Sequence, residues 1–227
     1  VMTSRINDKW VLITGASSGF GAAAARAFGT GGAKLLLGAR RIDRLEQVAT
    51  EARAAGASAA HVHELDVSRT ASVERFVAWA KERIGVQTTD IGGLHVLINN
   101  AGLLTDHRQT SIDGFELTFA VNVLAPFLLT TRLLDTLKAN APARIVNVAS
   151  TAMGGGVIDF SNLQVERRFD GWQAYANSKL MNVLLSHHLA GQIAGSGVVS
   201  NALCPGLIDT NFFHTNTLFA GGTYERL

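Results

Sequence analysis

The feature that most constrains the fold is a regular alternation of short apolar segments with longer segments of helical pattern. The short segments are rich in Val, Ile and Leu without polar alternation, which is typical of strands covered on both faces. The strand candidates are Trp10–Thr14, Lys34–Gly38, Ala60–Leu65, Leu94–Ile98, Arg144–Ala149 and Val198–Leu203. The helix candidates lie near Gly21–Gly29, Asp43–Ala55, Ala71–Ile84, Ser111–Asn140 and Gln173–Ile193. Repeated strand–helix–strand units predict an α/β fold, with a doubly wound parallel sheet of six to seven strands and helices on both faces.

The length of the chain favours a single domain over 1–227. Its 227 residues fall within the range of one α/β domain, and no repeat, low-complexity tract or linker divides them. A hydrophobic fraction of 47% argues against disorder and allows a substantial core.

Charge and cysteine content exclude several classes of function. The net charge is +2 and no Lys/Arg run exceeds two residues, so we expect no nucleic-acid or anionic-membrane surface. The single cysteine, Cys204, excludes an internal disulfide, and the seven histidines form no ligand set, so we expect no metal site. Apolar runs such as Leu35–Leu37 are too short to span a bilayer, and residues 1–7 lack the apolar core of a signal peptide. We therefore expect a cytoplasmic protein with no membrane span.

A glycine-rich loop follows the first strand candidate and precedes a helix. Its sequence, Thr-Gly-Ala-Ser-Ser-Gly-Phe-Gly over Thr14–Gly21, allows a tight turn and a close approach of phosphate to the backbone. The following helix offers free N–H groups and the positive end of its dipole. A plain strand-to-helix turn is the alternative, but the position after the first strand favours a pyrophosphate site of Rossmann type. The candidate contacts are Gly15, Ser17, Ser18, Gly19, Phe20 and Gly21.

The end of the second strand candidate indicates which dinucleotide binds. An NAD site usually has an acidic residue about 20 positions after the glycines, but here the strand ends with Arg40 and Arg41. Guanidinium groups suit a 2′-phosphate, through paired and charge-assisted hydrogen bonds. The sequence therefore favours NADP(H) over NAD(H), although a solvated arginine pair at a helix start is the alternative.

Tyr175 and Lys179 form a candidate acid–base pair. Their i, i+4 spacing places them on one helix face, one turn apart. A neighbouring ammonium favours the phenolate, so we expect Lys179, together with a cationic nicotinamide ring, to lower the pKa of Tyr175 from about 10. Such a tyrosine can give a proton to a carbonyl oxygen or accept one from an alcohol. Taken alone, this spacing is common in helices and indicates little.

Small and polar residues follow several of the other strand candidates, and their positions strengthen the interpretation of Tyr175 as a site residue. These segments are Asn99–Gly102, Asn147–Ser150 and Cys204–Thr210, and Asn122 lies in the helix after the fourth strand. In open parallel sheets, ligands bind beyond the carboxyl ends of the strands. The sequence therefore predicts one site that unites these segments with the glycine loop.

Together these residues resemble the short-chain dehydrogenase/reductase family. The matching pieces are T-G-x-x-x-G-x-G at Thr14–Gly21, N-N-A-G at Asn99–Gly102, Asn122, Ser150, Y-x-x-x-K at Tyr175 and Lys179, and P-G at Pro205–Gly206 with Thr210. The resemblance extends from Lys9 to about Thr210 and is highly specific as a set. It implies an oxidoreductase that uses a nicotinamide cofactor.

The resemblance also implies a role for each residue. Tyr175 would be the general acid/base, and Ser150 would hydrogen-bond the substrate carbonyl. Lys179 would lower the pKa of Tyr175 and bind the nicotinamide ribose, and Asn122 would hold a water behind Lys179. The other implied cofactor contacts are Asp66 and Val67 at the adenine, Asn100 and Gly102 along the adenosine ribose and phosphates, Ile208 and Thr210 at the carboxamide, and, without a more specific role, Ala101, Pro205 and Gly206.

The chain departs from the common family pattern between Ser150 and Tyr175. The gap of 25 residues is longer than in most members and is similar to that of the retinol-dehydrogenase-like subgroup, which implies a lipophilic aldehyde, ketone or alcohol. The extra segment, Thr151–Trp172, lies either near the substrate mouth or on the surface away from it. Residues 207–227 are expected to form a partial substrate lid or a tail.

The sequence thus favours an NADP(H)-dependent carbonyl reductase or alcohol dehydrogenase acting on a small molecule. A catalytically silent NADP(H)-sensing protein on the same fold is the alternative, although such proteins usually lose the tyrosine or the lysine. The helices Ala120–Leu137 and Gln173–Leu189 are apolar over most of their circumference, so they need burial on more than one side. One side would be the sheet, and the other would be a subunit contact in a homodimer or homotetramer, unless the tail covers it.

Overall fold

The protein is built on one parallel sheet, seen in a computed structural model that describes residues 6–85 and 93–206. Within these residues, six strands pair in the order β3-β2-β1-β4-β5-β6. The strands are β1 (Trp10–Thr14), β2 (Lys34–Ala39), β3 (Ala59–Glu64), β4 (Leu94–Asn99), β5 (Ala143–Val148) and β6 (Val198–Leu203). Each bound lies within one residue of its prediction, because short apolar runs between turns specify buried strands well. The predicted α/β fold, a doubly wound parallel sheet of Rossmann type, is confirmed.

The helices follow the strands in strict alternation. They are α1 (Gly19–Thr30), α2 (Ile42–Ala55), α3 (Thr70–Gly85), α4 (Leu117–Phe119), α5 (Ala125–Ala139) and α6 (Gly171–Gln192). A π-helical turn, Ala120–Leu124, joins α4 to α5 without a break, and a short 3₁₀ helix, Thr151–Gly155, follows β5. At the start of α6, the Asp170 carboxylate accepts a hydrogen bond from Gln173 N at 3.0 Å, which satisfies one of the helix's free amides.

Two apolar cores cover the two faces of the sheet. Successive strand residues point to opposite faces, so neighbours along β1 and β2 belong to different cores. Val11, Ile13, Leu35 and Leu37 pack with α1 and α2, whereas Leu12, Leu36 and Leu97 pack with α3 and α5. Because both faces are covered, the sheet can present a site to solvent only at the ends of its strands.

The helix predicted over Ser111–Asn140 starts six residues later, at Leu117. Residues before it form a turn in which Ser111 N donates to Phe115 O at 2.7 Å. The Glu116 carboxylate then accepts hydrogen bonds from Thr118 N at 2.8 Å and Phe119 N at 2.7 Å. These bonds cap the helix start. The apolar pattern of the sequence continues through this turn, so the pattern alone does not show that the helix begins at Leu117.

The helical stretch Leu117–Ala139 is long and apolar enough to cross a membrane by length and composition alone, and half of its most apolar window is buried inside the protein. A core helix of a soluble protein meets the same criteria. Leu129, Leu133 and Leu137 are fully buried against the sheet. On the outer surface, Phe127 of α5 and Leu184 of α6 are exposed. The homo-oligomer stays a prediction.

Two glycine substitutions test the packing. Gly38→Ala is expected to lower the free energy of unfolding by about 1–3 kcal/mol, because its Cβ would lie 2.7 Å from the Phe76 ring and 2.8 Å from Leu65 Cδ2. Gly191→Ala is the matched control, since a Cβ at this α6 position meets nothing within 4 Å. It is expected to stabilise the protein by up to about 1 kcal/mol. Urea unfolding measures both, and equal midpoints for the two variants would contradict this packing.

Candidate active site

A cleft of about 690 Å³ opens at the carboxyl ends of the strands. The cleft lies between β1 and β4, where the strand order changes direction. This position is the usual ligand site of such sheets. The structure brings these predicted residues together in its wall: Gly15, Ser17, Ser18, Gly19, Phe20, Arg40, Arg41, Asp66, Val67, Asn100, Ala101, Gly102, Ser150, Tyr175, Lys179, Pro205 and Gly206. Gly21 and Asn122 support the wall without forming part of it. Ile208 and Thr210 lie outside the described residues.

The glycine loop is shaped by two positive φ angles and one close contact. Gly15 has a φ of +66° and Gly19 a φ of +54°, a region that side chains disfavour. A Cβ on Gly21 would lie 2.5 Å from Gly15 O and 2.6 Å from Asn100 Nδ2. Gly21 therefore lets the first turn of α1 pack directly under the loop.

Hydrogen bonds between Thr14 and Asn100 fasten the loop to the end of β4. Thr14 Oγ1 accepts from Asn100 N and Ala101 N, each at 3.0 Å. The Asn100 side chain donates to Thr14 O at 2.8 Å and Gly15 O at 3.2 Å. The sequence placed Asn100 at the cofactor, but in this structure its amide also holds two strand ends together. The glycine motif includes Thr14, but its spacing alone assigns this residue no role.

Arg41 lies over the glycine loop. Its guanidinium donates to Ser18 Oγ at 3.0 Å and to Ser17 Oγ at 3.3 Å. Arg40 is exposed at the same rim of the cleft. On the neighbouring rim, Asp66 accepts hydrogen bonds from the backbone and hydroxyl of Ser68 at 3.0 and 2.6 Å. The cleft therefore presents two guanidiniums after β2 and one carboxylate after β3.

Tyr175, Ser150 and Lys179 meet at the β5 side of the cleft. The Tyr175 side chain is 8% exposed and shares a hydrogen bond with the Ser150 hydroxyl. Lys179 is 4% exposed, and its ammonium donates to Val148 O at 2.9 Å and lies 5.5 Å from the centroid of the Tyr175 ring. The i, i+4 spacing on α6 thus places both side chains against the end of the strand that carries Ser150.

Burial controls the ionisation of the pair. It raises the pKa of Tyr175 above its usual value, although the hydrogen bond from Ser150 acts in the opposite direction. Burial also lowers the pKa of Lys179 to about 8. The expectation of a lowered tyrosine pKa is therefore wrong for the interactions this chain itself supplies. Desolvation disfavours both charged forms, although a lysine with a pKa of about 8 still carries its proton near neutral pH.

Asn122 is fully buried in the π-helical turn behind the cleft. Its Oδ1 accepts from Leu103 N at 2.9 Å, and its Nδ2 donates to Leu103 O and Ser178 Oγ, each at 2.9 Å. Ser178 in turn donates to Tyr175 O at 2.7 Å. The water-holding role implied by the resemblance stays a prediction, whereas these bonds connect Leu103 of the cleft wall to α6, the helix that carries Tyr175.

The extra segment Thr151–Trp172 supplies no residue to the wall of this cleft, in so far as residues 6–85 and 93–206 define it. Gln164 instead joins it to the loop before α4: Arg108 Nε donates to Gln164 O at 3.2 Å, and Glu116 N donates to Gln164 Oε1 at 3.0 Å. The segment therefore lies beside the cleft and contacts its neighbouring loop. Gln164 was not among the predicted site residues.

A chain of buried amides behind the site also escaped prediction. Asn99 Nδ2 donates to Asn147 Oδ1 at 2.8 Å and to Thr130 Oγ1 at 3.1 Å, and Asn147 Nδ2 donates to Ser186 Oγ at 2.8 Å. These bonds link β4, β5, α5 and α6 in the dry layer under the cleft. Polar residues in otherwise apolar strands were the only sign of them in the sequence.

The cleft fits a nicotinamide dinucleotide. Gly15, Ser18 and Gly19 of the loop line the cleft, and the start of α1 faces it with free amides. Arg40 and Arg41 follow β2, whereas Ser150 follows β5, three strand spacings away. At about 4.8 Å for each spacing, the cleft is wide enough for an extended ligand.

Comparison with known proteins agrees with this site. The chain is 39% identical to human retinol dehydrogenase 12 over 219 residues, covering 94% of this chain and 66% of that protein. It is 39% identical to human retinol dehydrogenase 13 over 209 residues, covering 90% and 60%. The chain thus spans just under two thirds of the length of the curated relatives it matches.

Solved structures of dehydrogenases and related proteins also match this chain. An alcohol dehydrogenase from Thermococcus sibiricus, complexed with 5-hydroxy-NADP, superposes with a TM-score of 0.71 at 32% identity, covering 91% of this chain and 79% of the other. The Pseudomonas aeruginosa RhlG/NADP complex superposes with a TM-score of 0.73 at 25% identity, covering 92% and 76%. A family model described as "short chain dehydrogenase" matches residues 9–219. Because that match includes every element that builds the cleft, the chain belongs to the short-chain dehydrogenase family.

Proposed function

We propose that the protein is an NADP(H)-dependent oxidoreductase that interconverts a lipophilic aldehyde or ketone and the corresponding alcohol. The observation that carries the proposal is the meeting of Tyr175, Ser150 and Lys179 in one cleft whose opposite rim presents Arg40 and Arg41. A titratable hydroxyl, a second hydroxyl and a buried ammonium are the groups that proton transfer to a carbonyl oxygen needs.

Each group has a distinct task at the reacting oxygen. Tyr175 donates its hydroxyl proton to the carbonyl oxygen during reduction and removes it from the alcohol during oxidation. Ser150 donates a hydrogen bond to the same oxygen and stabilises the negative charge that develops there. A nicotinamide cofactor, when bound, supplies or accepts the hydride.

The ionisation of the site suits proton donation near neutral pH. Burial raises the pKa of Tyr175, so the hydroxyl keeps its proton at pH 7. Lys179 lies within electrostatic reach of the ring and holds its own position through Val148 O. Its positive charge stabilises the phenolate that forms once Tyr175 has given up its proton.

Two observations support a lipophilic substrate. Leu103, Leu117 and Val121 form an apolar part of the wall that also contains Tyr175, and apolar walls bind apolar molecules through the area they remove from water. The matched relatives are named for retinol, an apolar alcohol. All-trans-retinal is therefore the first substrate to test.

The preference for NADP(H) is supported by the rim after β2. Arg41 extends over Ser17 and Ser18, and Arg40 is exposed beside it. These guanidiniums would bind a 2′-phosphate, while Gly15 and the start of α1 would hold the pyrophosphate. Two matched structures are described as complexes with NADP or 5-hydroxy-NADP.

Tyr175→Phe tests the reaction. The variant is expected to reduce turnover of all-trans-retinal with NADPH by about 10²–10⁴-fold, because it removes the proton donor. The phenyl ring keeps the contacts with Trp172 and Lys179, so NADPH affinity and the urea midpoint are expected to stay unchanged. Loss of NADPH absorbance measures turnover. Equal rates for wild type and variant, or a wild type inert with both cofactors across aldehydes and ketones, would refute the proposed function.

Arg41→Ala tests cofactor preference. Loss of charge-assisted hydrogen bonds is expected to weaken NADPH binding by about 1.5–3 kcal/mol, roughly 10–100-fold, and to leave NADH binding unchanged. Arg44→Ala is the matched control, because Arg44 is exposed in the first turn of α2, which follows Arg41, and lies outside the cleft wall. Titration of cofactor fluorescence measures both affinities. A wild type that binds NADH more tightly than NADPH contradicts the assignment.

Lys179→Met tests the burial of the lysine. Since the pKa of Lys179 falls from 10.5 to about 8 on folding, the unfolded chain binds more protons than the folded one between these pH values. Wild-type stability from this group therefore rises with pH, by up to about 3 kcal/mol across the window. Lys179→Met is expected to lack that rise. Urea unfolding near pH 8 and near pH 10 measures it, and parallel changes in both proteins would show that Lys179 is not desolvated.

A further inference from the structure

Two polar side chains of α6 hold the segment that follows Ser150. Gln173 Nε2 donates to Gly155 O at 2.9 Å and to Asn177 Oδ1 at 2.8 Å. Asn177 Oδ1 also accepts from Val157 N at 2.8 Å. We call these three hydrogen bonds the Gln173–Asn177 clamp. Its two side chains lie two residues before and two residues after Tyr175.

Gly156 lies in close contact with the helix between the two clamped backbone groups. A Cβ on Gly156 would lie 2.8 Å from Ala176 O and 2.8 Å from Leu180 Cβ. By contrast, a Cβ on Gly154 or Gly155 would meet nothing within 4 Å. The clamp and the close packing of Gly156 together hold the segment against α6 at residues 155–157.

The clamp completes a closed ring of connections that joins the Ser150 hydroxyl to the Tyr175 hydroxyl. Ser150 Oγ accepts from Ala152 N at 3.2 Å and Ser150 O accepts from Met153 N at 3.1 Å, so Ser150 starts the 3₁₀ helix that leads to Gly155. From there the clamp reaches α6, which carries Tyr175. The hydrogen bond between the Tyr175 and Ser150 side chains closes this ring of connections.

We propose that Gln173 and Asn177 are positioning residues, which keep the Ser150 and Tyr175 hydroxyls at the separation needed to share one substrate oxygen. This inference rests on the proposed function. Neither side chain belongs to the cleft wall defined by the described residues, so both act through the segment they hold. Without the clamp, the segment could move relative to α6, and a displacement of about 1 Å at reacting groups can cost about 100-fold in rate.

Gln173 only donates hydrogen bonds in the clamp and Asn177 only accepts them, so single substitutions can remove each role separately. Asn177 contributes an acceptor, so Asn177→Asp keeps both accepted bonds and Asn177→Ala loses both. Gln173 contributes donors, so Gln173→Glu keeps the shape but cannot donate. If the clamp positions the hydroxyls, Asn177→Ala and Gln173→Glu reduce kcat for all-trans-retinal with NADPH by about 10–100-fold. Asn177→Asp restores most of it, and KM and the Kd of NADPH change little.

A second pair of variants tests the same contact sterically. Gly156→Ala pushes the segment away from α6 and is expected to lower kcat as Asn177→Ala does. Gly154→Ala is the matched control, because it adds the same methyl group to the same segment in open space. Its kcat is expected to equal that of the wild type.

Amide hydrogen exchange provides a readout that does not depend on turnover. In Asn177→Ala, the amide of Val157 is expected to exchange faster, while amides in β1 and β4 stay as protected as in the wild type. Unchanged exchange at Val157 refutes the clamp. Faster exchange with unchanged kcat, or equal kcat losses for Asn177→Asp and Asn177→Ala, refutes the positioning role. An inert wild type refutes the proposed function and with it the positioning role, while the exchange result still decides whether the clamp exists.

Discussion

The junction between the ends of β1 and β4 determines whether the protein has a site at all. The chain leaves β1 and β4 toward opposite faces of the sheet, and this divergence opens the cleft. Thr14 and Asn100 hold the two strand ends together with four hydrogen bonds of 2.8–3.2 Å. Gly21 adds a contact so close that no Cβ fits. If this junction widened, the glycine loop and the start of α1 would move away from the wall that carries the hydroxyls.

Desolvation is the dominant electrostatic effect on the other side of the cleft. It raises the pKa of Tyr175 and lowers that of Lys179, so neither group is charged as readily as it would be in water. The protein compensates through hydrogen bonds that fix positions: Val148 O accepts from the ammonium, and Ser150 shares a bond with the phenol. The chain's own residues therefore arrange a neutral phenol beside a buried ammonium.

The sequence predicted those features that depend on local pattern or on strand order. Apolar runs located all six strands within one residue, and the carboxyl-edge rule brought Arg41, Asn100, Ser150 and Tyr175 to one cleft. It failed where the outcome depends on individual hydrogen bonds or on depth of burial. The start of the helix at Leu117 depends on the Glu116 cap, and the pKa of Tyr175 depends on how deeply the ring is buried. No periodicity in the sequence reports either quantity.

The long segment between Ser150 and Tyr175 shows how an insertion can leave the chemistry in place. Its start is fixed on α6 by the Gln173–Asn177 clamp, and its end is fixed where Asp170 caps the same helix. Both attachments are on the helix that carries Tyr175, so the residues between them form a loop that is held at both ends. In the middle, Gln164 bonds Glu116 N, next to the helix that carries Leu117 and Val121 of the cleft wall. Among the described residues, the middle of the segment is therefore joined to the loop before the apolar wall, whereas its two ends are joined to the helix that carries Tyr175.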